Sequence, residues 1–385
     1  MKRFGLLPQI ILAIAVGIIT GTLAPEWLIR VFATFNSLFG NFLGFVIPLI
    51  IIGFIAPGIS ALGKGAGKLL GMTTAIAYLS AVGAGLLAFF TAKTIYPIIL
   101  ANQASEAFDD PSKALLETYF IVEMPPIMDI MTALVLAFLL GIGIAAVKAQ
   151  TLENALNEFR SIVELVIAKV IIPLLPIHIF GIFANMAQGG QVSAIMSVFA
   201  KVFMMIIILH IIYLFVQYSI AGSLRKQNPF KMVKTMSPAY FTALGTQSSA
   251  ASIPVTLERS KQLGVKDRIA DFSVPLLATI HLSGSTITLV SCTMAVMLIH
   301  DQVYTLGNML PYILMLGIAM VAAPGVPGGA VMAATGLMGT MLGFDATMIS
   351  LMIALYLAQD SFGTACNVTG DGAIAAIVDK FNKTE

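Results

Sequence analysis

The sequence predicts an all-α membrane protein of eight transmembrane helices plus two re-entrant helical hairpins, arranged as inverted repeats. Three observations carry this expectation. Of 385 residues, 58% are hydrophobic and only 10% charged, against about 25% charged in soluble domains. Apolar stretches recur along the whole chain, and no polar stretch is long enough for a separate soluble domain. Two apolar stretches are interrupted by Gly, Pro and Ser, leaving backbone groups that lipid cannot satisfy.

The uninterrupted stretches run over 5–31, 36–62, 69–98, 124–147, 161–187, 190–222, 269–299 and 345–378. The first follows Met1-Lys2-Arg3 without a small-residue cleavage site, so it reads as a retained span and not a removed signal peptide. The last would be roughly 50 Å long at helical rise, beyond a hydrocarbon core of about 30 Å, so it is expected to tilt strongly or project into water. The interrupted stretches, 232–262 and 306–343, are expected to enter and leave on one side. With the N-terminus inside, most cations from Lys2 and Arg3 to Lys380 and Lys383 then fall inside. Arg30, Lys93 and Lys113 fall outside with Glu106, Asp109 and Asp110. The positive-inside rule thus predicts cytoplasmic termini. Lys169 and Lys201, inside or near the ends of spans, are expected to snorkel to the interface.

A net charge of +2 without a basic, aromatic-interleaved cluster argues against a nucleic-acid partner. Cys292 and Cys366 lack metal-ligand spacing.

Within the last stretch, Asp360, Thr364, Asn367 and Asp371 follow one another at spacings that put them on one helix face, and Tyr356 continues the line. A central Asp costs about 2.5–3.5 kcal/mol in a membrane, so such a stripe defaults to function. The plainer reading is a helix face packed on polar neighbours or lining a wet crevice. The interruptions, Gly245 to Pro254 and Ala323 to Gly329, occupy corresponding places, each followed by a long polar-striped span. That is the signature of an inverted-repeat secondary transporter with a site near the midplane. Two kinked spans without a ligand are the alternative.

Ala278-Thr-Ile-His281-Leu-Ser283-Gly-Ser285-Thr286 is rich in residues that unwind a helix and free carbonyls for a hard cation such as Na⁺. Close packing of small residues is the competing reading. His281 is open to a proton-shuttling role or a structural one. An aspartyl protease would need two carboxylates about 3 Å apart. On one continuous helix Asp360 and Asp371 lie about 16 Å apart, so no enzyme is expected. A passive channel suits the broken hairpins less well than an occluded site.

Four motifs, Ser-Ser-Ala-Ala-Ser-Ile-Pro (248–254), Ala-Thr-Ile-His-Leu-Ser-Gly (278–284), Gly-Val-Pro-Gly (325–328) and Gln-Asp-Ser-Phe-Gly-Thr-Ala-Cys-Asn (359–367), occur in this order. Together with the order of spans, they resemble the dicarboxylate/amino acid:cation symporter family, which has the glutamate transporter fold. The resemblance covers essentially the whole chain. It implies a homotrimer in a prokaryotic inner membrane, in contact with lipid. The scaffold would comprise 1–67 (spans 1–2) and 101–188 (spans 4–5). The transport domain would comprise 68–100 (span 3) and 189–385 (span 6, both hairpins, spans 7 and 8), moving as an elevator.

The resemblance also implies roles. Asp360 would accept the α-ammonium group of an amino-acid substrate. Asn367, Ser248 and Ser249 would hold its α-carboxylate, with Thr364 nearby. The backbone at Gly325, Val326 and Gly328 would form a gating hairpin. Two Na⁺ sites are expected: Asp371 with carbonyls of Leu277, His281 and Asn367, and the carbonyls of Thr279, Met320, Val321 and Ala323.

Three departures matter. Gly363 stands where acidic-substrate members carry an arginine, the residue suited to a bidentate carboxylate clamp. His281-Leu282-Ser283-Gly284-Ser285 lacks the aspartate of a third Na⁺ site, and Tyr78-Leu79-Ser80 does not match its third-span ligands, so fewer coupled ions are expected. The motifs look closest to the bacterial sodium/serine-threonine branch, although His281 replaces the asparagine usual there. The expected function is Na⁺-coupled symport of a small neutral amino acid, serine or threonine. The alternative is Na⁺- or H⁺-coupled symport of dicarboxylates or acidic amino acids.

Overall fold

Proline and capping side chains set several helix boundaries in the computed structural model, which describes residues 6–63, 68–99, 116–190, 192–323 and 328–382. Among the described residues the regular structure is entirely helical. The first helices are α1 (Leu6–Leu23), α2 (Glu26–Gly63) and α3 (Lys68–Ile99). Pro25, which cannot donate to the preceding turn, ends the first span at Leu23 and not near residue 31. Pro125 and Pro126 likewise keep 124–129 outside α4 (Ile130–Val147). The fifth stretch starts earlier than expected: α5 (Gln150–Val166), a π turn at Ile167–Ile171 and α6 (Ile172–Gln188) form one continuous rod. Then comes α7 (Val192–Arg225).

The remainder is a repeated pattern of paired helices. A hairpin, α8 (Pro229–Thr246) and α9 (Ser249–Gln262), precedes a broken span, α10 (Asp267–Ile280) and α11 (Ser283–Ile299). A second hairpin, α12 (Leu306–Ala322) and α13 (Gly329–Leu342), precedes a second broken span, α14 (Ala346–Leu357) and α15 (Asp360–Phe381). Among the described residues five helical rods are long and apolar enough to cross a membrane, or six if the bent pair α14 and α15 is one span. α1 and α4 contribute shorter apolar helices among the described residues.

Each break has a local cause. In the first hairpin Gln247 takes a left-handed conformation (φ 54°), and Ser248 caps α9 by accepting from Ala251 N at 3.2 Å. Pro254 lies inside α9 and is not the break. The seventh span unwinds at His281-Leu282, within the Thr/His/Ser/Gly cluster. In the second hairpin Gly328 has φ +75°, and a Cβ there would meet Leu357 Cδ2 at 2.8 Å, so glycine is required. The last stretch neither tilts nor projects as one rod. It bends by 61° between Leu357 and Asp360.

α1 packs along α6 and α2 along α4, while α15 is surrounded by α7, α8, α9 and α11. Lys201 donates to the Ile99 carbonyl at 2.7 Å. It therefore caps the C-terminal end of α3, where a cation offsets the helix dipole, in place of the expected snorkelling. Cys292 and Cys366 are buried free thiols.

Candidate functional site

All four breaks meet at one small cavity. It is lined by Gln247 and Ser249 from the first hairpin, Ala278, Thr279, Leu282 and Ser285 from the seventh span, and Ala323 and Ala330 from the second hairpin. Tyr356, Asp360, Thr364 and Asn367 of the last span complete it. Its volume, about 30 Å³, has room for a water or two. Helix N-termini present unpaired N–H groups and favour anions, while C-termini present carbonyls and favour cations. The starts of α9, α11, α13 and α15 and the ends of α8, α10, α12 and α14 thus give this cavity both kinds of pole.

Asp360 stands at the first position of α15, buried, and accepts from Gly328 N at 2.8 Å. The acid therefore holds the start of α13. Thr364 follows one turn later and lines the cavity. Asn367 caps α11: its Oδ1 accepts from Gly284 N at 2.7 Å and Ser285 N at 3.2 Å. Its Nδ2 donates to Ser285 Oγ at 2.9 Å. One N–H of this amide is left over, since an amide carries two.

Ser285 was not singled out by sequence. Its Oγ accepts from Tyr356 OH at 3.0 Å as well as from Asn367, so both lone pairs are filled. With both filled, the Ser285 hydroxyl has only its proton to offer, and Tyr356 OH is also in hydrogen-bond contact with Asp360. Tyr356 reaches Ser285 from α14, across the bend, and not from the same helix as Asp360.

Of the other expected substrate residues, Ser249 lines the cavity and Ser248 is the cap just behind it. Gly325 and Val326 lie outside the described residues. Gly363 does not line the cavity. A Cβ on it would face the backbone of Gly284 and Ser285 at 3.6–3.7 Å, and a Cβ on Gly284 would meet Gly363 O at 2.5 Å. The glycine pair lets α11 and α15 cross closely.

The expected sodium residues divide into two places. Thr279 and Ala323 line the cavity, with Met320 O one turn back accepting from Ala323 N at 3.4 Å. Val321 faces a separate apolar cavity beside Tyr78 and Phe138. Leu277 O accepts from His281 N at 2.9 Å, so the later carbonyls of α10 are the freer ones. Asp371 lies deeper, 1% exposed. His281 Nδ1 is 2.9 Å from its Oδ1, while Oδ2 is buried without a partner. An orphaned carboxylate oxygen beside a helix end suits a hard cation. Besides the backbone carbonyl expected at the ion, the His281 side chain, open in the sequence to a proton-shuttling or a structural role, touches the carboxylate directly.

Comparison with known proteins now adds to this geometry. The family model described as the sodium:dicarboxylate symporter family matches residues 6–381. The serine/threonine transporter SstT of Enterococcus faecalis is 26% identical over 394 residues, covering 96% of this chain and 90% of that one. The protein of the same name from Acinetobacter baumannii is 27% identical, covering 98% and 97%. That from Streptococcus suis is 28% identical, covering 86% and 94%. With the match spanning nearly every residue, the chain belongs to the sodium:dicarboxylate symporter family.

Proposed function

We propose that this symporter couples Na⁺ entry to uptake of serine or threonine, bound as a zwitterion where the four helix breaks meet. The convergence of those breaks on Asp360 carries the reading. Asp360 is the acceptor for an α-ammonium group, and the N-termini of α9, α11, α13 and α15 suit an α-carboxylate. The spare N–H of Asn367 and the hydroxyls of Ser249 and Thr364 supply side-chain donors. The directed proton of Ser285 suits the hydroxyl oxygen of a serine or threonine side chain. No arginine stands at position 363 to clamp a second carboxylate. Relatives bearing serine/threonine transporter names support the same cargo.

Na⁺ is cargo alongside the amino acid. Asp371 Oδ2 is the anchor of one ion, and the carbonyl ends of α10 and α12, at Thr279 and Met320 to Ala323, hold a second. At about 30 Å³ the cavity admits the amino acid only when the second hairpin moves, and the Gly328–Asp360 bond is the contact that must rearrange. The pairing of α1 with α6 and α2 with α4 supports a scaffold distinct from a transport body built on α3 and α7 to α15. We extend the reading to an elevator-type homotrimer with cytoplasmic termini.

A thermal-shift screen tests the reading. Ligand at 100 times its Kd adds about 2.7 kcal/mol of stability. Serine and threonine should raise the melting temperature in Na⁺ and not in choline. Stabilisation by aspartate or succinate, with none by serine, would favour the acidic-substrate alternative.

A further inference from the structure

A polar face of α7 reaches Asp371 through a chain of side chains that the amino-acid site does not use. His210, Tyr213 and Gln217 lie three and four residues apart, all buried. Gln217 Nε2 donates to Ser80 Oγ at 2.9 Å and lies 3.3 Å from both His281 Nε2 and Ser283 Oγ. Ser80 Oγ is 3.0 Å from His281 Nε2. On the far side of the ring, Nδ1 is 2.9 Å from Asp371 Oδ1.

Donor and acceptor chemistry gives this chain a direction. An amide nitrogen only donates, so Gln217 makes Ser80 Oγ an acceptor and sets a donor against His281 Nε2. Tyr213 OH spends its proton on the Ser80 carbonyl at 2.5 Å, so the Ser80 hydroxyl proton has two acceptors, Tyr213 OH at 3.2 Å and His281 Nε2 at 3.0 Å, and the ring nitrogen is the nearer. With Nε2 accepting, Nδ1 carries the ring proton and donates it to Asp371 Oδ1. Oδ2 then remains the one carboxylate oxygen without a partner. Gly370 keeps the corner open: a Cβ there would lie 2.7 Å from Gln217 Oε1 and 3.0 Å from His281 Cε1.

We infer that Gln217 is a positioning residue for the sodium carboxylate, acting through Ser80 and His281 to fix the ring tautomer and aim Asp371 Oδ2 at the ion. The inference rests on the reading of Asp371 as a Na⁺ ligand. Groups that orient a metal ligand from outside its coordination sphere are worth about 10- to 100-fold in metal affinity.

The test is a double-mutant cycle on serine uptake by the full-length protein in proteoliposomes. Gln217→Leu should raise the Na⁺ half-saturation concentration about tenfold, with the serine KM at saturating Na⁺ unchanged. Gln217→Leu combined with His281→Asn should be no worse than His281→Asn alone, because the amide acts only through the ring. Additive effects, or a Gln217→Leu defect confined to the serine KM, would overturn the inference. If Gln217→Leu does not fold, Ser80→Ala decides: it should raise the Na⁺ requirement selectively, and an unchanged Na⁺ requirement would overturn the chain. Wild-type uptake indifferent to Na⁺ is a separate failure, which removes the sodium reading itself.

Discussion

Asp360 accepts the backbone N–H of Gly328 at 2.8 Å, so the acid read as the ammonium partner also fastens the second hairpin. On the proposed function, binding and gating meet in one carboxylate. Asp360→Asn keeps an oxygen to accept from Gly328 and loses the charge. Removing one partner of a buried ion pair costs about 3–5 kcal/mol, so serine binding should fall at least 100-fold. The protein should remain folded and keep its oligomeric state, as calorimetry and size-exclusion chromatography would report. Normal serine binding by this variant would contradict the assignment of the ammonium partner.

Asn367 holds α11 through Gly284 N and Ser285 N and supplies a donor at Nδ2. The two roles separate by substitution. Asn367→Ala loses the cap and should cost about 1–2 kcal/mol of stability. Asn367→Asp keeps an acceptor for the α11 amides and places a carboxylate where donors are needed. It should unfold closer to the wild type and still bind serine weakly. Thermal melts alongside binding isotherms distinguish the two.

Gly284 and Gly363 face each other across the α11–α15 crossing, and they should differ sharply in tolerance. A Cβ at Gly284 would stand 2.5 Å from Gly363 O, whereas one at Gly363 meets only ordinary contacts. Overpacking of this kind costs about 1–3 kcal/mol. Gly284→Ala should lower the melting temperature and Gly363→Ala should not. Position 363 does not line the cavity, so Gly363→Arg should shift preference toward acidic substrates only by carrying its guanidinium past the start of α11 to a second carboxylate. Competition of serine binding by aspartate measures that shift.

Tyr356 and Asn367 fill the two lone pairs of Ser285. Tyr356→Phe frees one and lets the hydroxyl turn its proton away from the cavity. A net hydrogen bond is worth about 1 kcal/mol, so serine affinity should fall about fivefold while alanine affinity changes little. Equal losses for both amino acids would place the effect elsewhere than on the substrate hydroxyl.

The two hairpins and the unwinding of the seventh span were legible because Gly, Pro and Ser stand out in apolar sequence. So was the stripe from Asp360 to Asp371, because spacings of three and four mark one helix face, and all four residues lie on α15. The bend at Ala358-Gln359 was not legible, since neither residue breaks a helix by composition. The excess length of that stretch was its one signal. Ser285 stands in a readable motif without a signal of its own, because its importance lies in which groups fill its lone pairs, a tertiary fact. His210, Tyr213 and Gln217 carried a readable signal, the same helical spacing on an apolar span, in uncharged residues that cost less to bury and attract less notice. Only the fold brings them to Ser80 and His281.

Serine uptake into proteoliposomes under an imposed Na⁺ gradient tests the central claim most directly. Inward Na⁺ should drive serine accumulation above equilibrium, and replacing external Na⁺ with choline, with or without an inward H⁺ gradient, should abolish it. Serine uptake that proceeds equally without Na⁺, or uptake of aspartate in its place, would contradict the account.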